Sequence, residues 1–120
     1  MIHPDIERVL YTEEQLRDRV REVGAQIAAD YAGREPLLIS VLRGSYIFMA
    51  DLTRAIGLDV TVDFMAVSSY GAGTASSGQV EIKKDLSDSI EGKDLIIVED
   101  ILDSGNTLYY LMDVLRARKP

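Results

Sequence analysis

The sequence has 120 residues and a mass of 13.3 kDa, the size of one domain or part of one. A net charge of −7 and a pI near 4.6 exclude a general affinity for nucleic acid or an anionic membrane. The lack of cysteine excludes disulfides and thiolate metal sites, and no apolar run approaches the roughly 18–20 residues that span a bilayer.

The N-terminal "MIHPDIERVLYTEEQL" has no basic stretch leading into an apolar core, so no signal peptide is expected and the protein reads as cytoplasmic. His3, the only histidine, is not expected to act as a ligand or a base. From Thr12 a capping-box pattern with Gln15 opens a helix, with Leu16, Val20, Val23, Ile27 and Tyr31 on its core face and Gly33 as its stop. "LLISVL", residues 37–42, is a continuous apolar run suited to a strand buried on both faces. After the turn "RGS", "YIFMADLTRAIG" predicts a helix ending at Gly57. "LDVTVDFMAVSSY" sets Val60, Val62 and Phe64 against Thr61, Asp63 and Met65, the alternation of a strand.

"GAGTASSG" has nothing large enough to pack, and "QVEIKKDL" reads as a short returning strand, so residues 70–78 are expected to form a mobile hairpin tip. This glycine-rich stretch lacks both the Walker ending and the dinucleotide spacing. "DSIEGKD" turns the chain into a buried strand, Leu95–Val98, and a last helix from about Thr107 puts Leu108, Leu111, Met112 and Leu115 on one face. The element order predicts an α/β protein with a largely parallel sheet, in one domain covering residues 1–120. The chain stops at Pro120 after a helix that should feed a further parallel strand, so the sheet is expected to be incomplete on its C-terminal side.

The chemistry concentrates in "LIIVEDILDSGNTLYYL". Ligands of open α/β sheets sit beyond the carboxyl ends of the strands, where Glu99 and Asp100 fall. A carboxylate only accepts hydrogen bonds, so paired acids suit a ligand rich in hydroxyl donors, such as a ribose. Asp103, Ser104, Gly105, Asn106 and Thr107 then offer a tight turn, two hydroxyls and successive N–H groups at a helix start, which can hold an anion without a cationic side chain. Two unit charges about 4 Å apart near a protein surface interact by about 4 kcal/mol, so a phosphate must sit on the turn and away from the acid pair.

The spacing over residues 95–107, four apolar residues, Glu99-Asp100, two apolar residues, Asp103-Ser104-Gly105, one residue and Thr107, resembles the phosphoribosyl pyrophosphate signature of type I phosphoribosyltransferases. With "VLRGSYIFMADL", "VDFMAVSSYG" and "VEDILDSGNTL", nearly the whole sequence resembles a bacterial hypoxanthine (hypoxanthine-guanine) phosphoribosyltransferase. The resemblance implies a Rossmann-like type I phosphoribosyltransferase fold and a purine-salvage glycosyltransferase. Such an enzyme transfers phosphoribosyl from 5-phosphoribosyl 1-pyrophosphate to hypoxanthine or guanine, with Mg2+, giving IMP or GMP and pyrophosphate.

Position by position, the resemblance puts Glu99 and Asp100 on the ribose hydroxyls, with an indirect relation to the metal. Asp103 becomes the general base beside purine N7, and residues 103–107 hold the 5′-phosphate. Leu42, Arg43 and Gly44 match the pyrophosphate loop, where the family has a non-proline cis peptide before the basic residue, and Ser69-Tyr70 matches the start of the mobile loop. The family's purine-reading Lys, stacking aromatic, magnesium-associated Asp and pyrophosphate-binding Arg fall beyond Pro120, so those roles go to no residue here, and the choice among hypoxanthine, guanine and xanthine stays open. The family also implies a homodimer or homotetramer, with neither nucleic acid nor membrane as partner. Two alternatives remain: a phosphoribosyl pyrophosphate-sensing regulator of the same fold, and an inactive fragment.

Overall fold

The computed structural model describes residues 3–69, 80–101 and 105–120. Among them lie strands β1 (Leu37–Leu42), β2 (Thr61–Ser69), β3 (Val80–Lys84) and β4 (Leu95–Val98), and helices α1 (Glu13–Asp30), α2 (Tyr46–Ile56) and α3 (Asn106–Arg116). The sheet order is β3-β2-β1-β4. β1 runs parallel to β2 on one side and to β4 on the other, and β3 returns antiparallel to β2. The α/β architecture and largely parallel sheet expected from the element order are therefore present.

β1 is central because both of its faces are apolar. Leu37, Ile39 and Val41 pack with Met65, Ile90, Leu111 and Leu115 on the α3 side. Leu38 joins Met49, Leu52, Ile56 and Val98 on the α2 side. Full burial of each such side chain contributes about 1.5–3 kcal/mol. α2 stops at Gly57, whose φ of 74° is left-handed backbone that glycine adopts without strain.

α1 begins as expected: Gln15 N–H donates to Thr12 Oγ1 at 3.1 Å, and Thr12 N–H donates to Gln15 Oε1 at 2.8 Å. Its predicted core face needs correction. α1 leans on α2 at Gly24, where a β-carbon would stand 2.7 Å from the Ala55 backbone, and reaches the core through Val23, Ile27 and Ala28. Leu16, upstream of that crossing, stays 55% exposed.

The alternation in β2 has the right period but the wrong weighting. Both faces of the sheet are covered, so Met65, grouped by sequence with Thr61 and Asp63, is fully buried, while Val62 near the strand start is 46% exposed. Asp63 is used rather than solvated: it accepts from Ser87 N–H at 2.8 Å, and its Oδ1 lies 3.9 Å from Lys84 Nζ. Ile90, inside the polar turn "DSIEGKD", is a core residue. Arg118, just past α3, donates twice to Asp85, at 2.7 and 2.9 Å, and thereby holds Asp85 below the usual carboxylate range. The last described pair of the β2–β3 hairpin is Ser69 with Val80; Tyr70 and the expected mobile tip, residues 70–78, lie outside the described residues.

Candidate functional site

The register of the sheet builds the site. Ser40 of β1 lies beside Val98, the last residue of β4, so β1 runs two residues further and its turn follows Glu99-Asp100 out of the same edge of the sheet. Leu42-Arg43-Gly44 leaves β1 as a short arch into α2, and Glu99-Asp100 leaves β4. The Leu42–Arg43 peptide is cis, the bond singled out by the family resemblance. Arg43 is exposed.

Gly44 brings the two ends into contact. A β-carbon there would overlap Asp100 Oδ2 and stand 2.9 Å from its Cγ. Gly44 is not among the glycines with left-handed φ, so closeness to the carboxylate, rather than backbone conformation, is what calls for glycine.

Each acid turns one oxygen onto the next backbone amide. Asp100 N–H donates to Glu99 Oε1 at 3.1 Å, and Ile101 N–H donates to Asp100 Oδ1 at 2.8 Å. Asp100 Oδ2 is the oxygen that packs against Gly44. Glu99 is half-buried and Asp100 exposed. Burial pushes the Glu99 carboxyl above the usual glutamate range; the amide it accepts from pulls it back, and the neighbouring Asp100 carboxylate raises it further.

Further along the chain, α3 opens at Gly105, whose φ of 85° is left-handed and whose carbonyl accepts from Tyr109 N–H at 2.8 Å. Asn106 and Thr107 form the first turn of that helix, with no side-chain cap. Asp103 and Ser104 lie outside the described residues.

Sequence reasoning missed two residues under the arch. Ser40, within the apolar run of β1, and Ser45, the residue before α2, are both fully buried. Their hydroxyls are 2.7 Å apart, and Ser45 Oγ donates to Val41 O at 2.5 Å. The available signal was a hydroxyl in a strand otherwise made only of Leu, Ile and Val.

Two grooves lie away from these strand ends. One of about 560 Å³ runs between α1 and α2 past Leu16, Val20, Arg54 and Ala55. One of about 300 Å³ sits between β4 and α3 past Ile97, Met112 and Leu115. Neither is lined by residues 43, 44, 99 or 100.

Comparison with known proteins agrees with the geometry. The phosphoribosyl transferase domain model matches residues 9–120. A hypoxanthine-guanine phosphoribosyltransferase of Streptococcus agalactiae is 51% identical over 119 residues, covering 99% of this chain and 66% of that protein. A bifunctional protein TilS/HprT of Listeria innocua is 51% identical over 118 residues, 98% of this chain and 18% of that one. The solved hypoxanthine phosphoribosyltransferase of Staphylococcus aureus superposes with a TM-score of 0.91 at 46% identity, covering 96% of this chain and 62% of that one. That of Trypanosoma cruzi gives 0.93 at 44% identity, covering 100% and 67%. The chain thus spans about two thirds or less of the length of these relatives. A family match over nearly its whole length, on a sheet whose adjacent strand ends carry the arch and the acid pair, shows that the chain belongs to the phosphoribosyltransferase family, in its hypoxanthine-guanine branch.

Proposed function

We propose that the protein carrying this chain transfers phosphoribosyl from 5-phosphoribosyl 1-pyrophosphate to hypoxanthine or guanine, giving IMP or GMP and pyrophosphate, in purine salvage. The observation that carries this reading is the contact of Gly44 with Asp100, which joins the β1 arch to the acid pair in one crevice. The carboxylates of Glu99 and Asp100 accept from the ribose 2′ and 3′ hydroxyls. The start of α3, with Asp103, Ser104, Gly105, Asn106 and Thr107, takes the 5′-phosphate on main-chain N–H groups. Leu42, Arg43 and Gly44 line the pyrophosphate.

The chemistry then divides among these groups. The C1′–O bond to pyrophosphate breaks as purine N9 bonds to C1′, and Asp103 takes the N7 proton, a step of the kind that contributes roughly 10²- to 10⁴-fold. Positive charge grows on the ribose between the two bonds, and the carboxylates of Glu99 and Asp100 stabilise it. The segment from Ser69 and Tyr70 through residue 78 closes over the crevice and keeps water from the activated sugar.

Magnesium belongs to the same reading. Among the described residues no three His, Cys, Asp or Glu side chains cluster to hold an ion. The residues present therefore fit an ion held mainly by pyrophosphate oxygens and water, with Glu99 and Asp100 reached indirectly. Bound there, it would neutralise charge on the departing pyrophosphate. We also read residues 1–120 as one domain, the protein as cytoplasmic, and its assembly as a homodimer or homotetramer. No helix among the described residues is long and apolar enough to cross a membrane.

The test is product formation by the intact protein from phosphoribosyl pyrophosphate, Mg2+ and each of hypoxanthine, guanine and xanthine, with its mass and oligomeric state measured on the same sample. IMP or GMP is the expected product. Absence of both product formation and phosphoribosyl pyrophosphate binding would refute the assignment.

A further inference from the structure

We infer that Ser40 and Ser45 are positioning residues for the Leu42-Arg43-Gly44 arch, a role that rests on the function proposed above. Ser45 has one hydroxyl proton, and it lies on Val41 O at 2.5 Å. Ser40, 2.7 Å from Ser45 Oγ, must therefore be the donor to it. The relay runs from the Ser40 hydroxyl through the Ser45 hydroxyl to the Val41 carbonyl. It ties residues 40 and 41 on one leg of the arch to residue 45 on the other, leaving only Leu42, Arg43 and Gly44 between the pinned points.

Ser45 gives up its usual task to do this. A serine at the residue before a helix ordinarily accepts from an amide of the first turn. Here it makes no such cap, and its hydroxyl points back into the strand. Both hydroxyls are fully buried, so each must keep a partner or carry the penalty of an unpaired polar group. The helix start is thus left uncapped while the arch is fixed, and the fixed arch holds Gly44 against Asp100. The spacing between the pyrophosphate loop and the ribose acids is set from beneath, by two side chains that touch neither ligand.

Three variants of the intact protein test this by thermal unfolding and by phosphoribosyl pyrophosphate titration. Ser45→Ala removes both links and leaves the Ser40 hydroxyl without its partner. It should lower Tm and weaken binding about tenfold, the equivalent of one hydrogen bond, with KM for the purine base unchanged. Ser40→Ala keeps the Ser45 to Val41 bond and should weaken binding by roughly threefold. The double variant leaves no orphaned hydroxyl, so its Tm should return toward the parent's while binding stays weak. Binding that recovers together with Tm in the double variant, or is unchanged in Ser45→Ala, overturns the positioning role. A parent protein that does not bind phosphoribosyl pyrophosphate removes the underlying functional reading as well.

Discussion

Replacing Gly44 with alanine separates the site from the scaffold. The new β-carbon would overlap Asp100 Oδ2 and crowd Cγ at 2.9 Å, whereas Asp100 Cβ at 3.6 Å is ordinary contact. The exposed carboxylate must swing away and give up its 2.8 Å bond from Ile101 N–H. That bond is exposed and water replaces it, so its loss costs about 0.5–1.5 kcal/mol, less than a charged bond shielded by a bound ligand. Because Gly44 is not left-handed, alanine fits its backbone and restricts the unfolded chain, returning about 0.4–1 kcal/mol. Stability should therefore change by no more than about 1 kcal/mol. Affinity should not survive as well. A hydrogen bond to a charged group contributes roughly 1.5–3 kcal/mol, so losing Asp100 from the ribose weakens phosphoribosyl pyrophosphate binding about ten- to a hundredfold. Calorimetric titration beside thermal unfolding reads both numbers. Unchanged affinity would show that Asp100 does not meet the sugar, and a collapse in Tm would show that the contact is architectural.

Asp103→Asn should cut turnover of the intact protein at least tenfold while leaving phosphoribosyl pyrophosphate binding largely intact, since the amide cannot take the N7 proton; steady-state rates beside direct binding check this. Gly24→Ala gains helix propensity but drives a methyl to 2.7 Å from the Ala55 backbone, so a net loss of about 1–2 kcal/mol is expected in denaturant unfolding. Glu99→Gln should raise Tm near neutral pH. The folded pKa of Glu99 is raised, so its ionisation weakens the fold as pH rises from the ordinary glutamate range through that raised value; the gain should vanish in acid, where glutamate and glutamine are both neutral. The same variant should bind phosphoribosyl pyrophosphate more weakly at every pH at which the parent is ionised, which titration across pH would test.

What could be read from sequence alone follows the range of the interactions involved. The Thr12–Gln15 cap and the Gly57 stop are local and stood in the sequence as they stand in the fold. The apolar run of β1 announced burial on both faces, because only a central strand tolerates one. Which side chains are covered elsewhere depends on distant partners. Leu16 loses its cover because α1 crosses α2 further along, at Gly24, and Met65 gains it because α3 lies over its face. Ile90 was hidden among charged and small residues that read as a turn. The acid pair was visible from composition and spacing. Its contact with Gly44 was not, since it needs the pairing of β1 with β4 across more than fifty residues of chain.

The acid pair also shows how a crowded set of negative charges can be useful. Each carboxylate commits one oxygen to the amide that follows it, which fixes the direction of the other. Two oriented acceptors then stand beside the arch, enough for two neighbouring hydroxyls. They are too few for an octahedral ion, which would have to draw most of its six ligands from substrate and water. Burial already strains the ionised form of Glu99, so a second anion placed beside it would be costly. The uncapped start of α3, reached after residues 101–105, offers amides and no carboxylate of its own first turn. A ligand with paired hydroxyls at one end and an anion at the other satisfies both places at once, whereas a bare phosphate or a bare sugar satisfies only one.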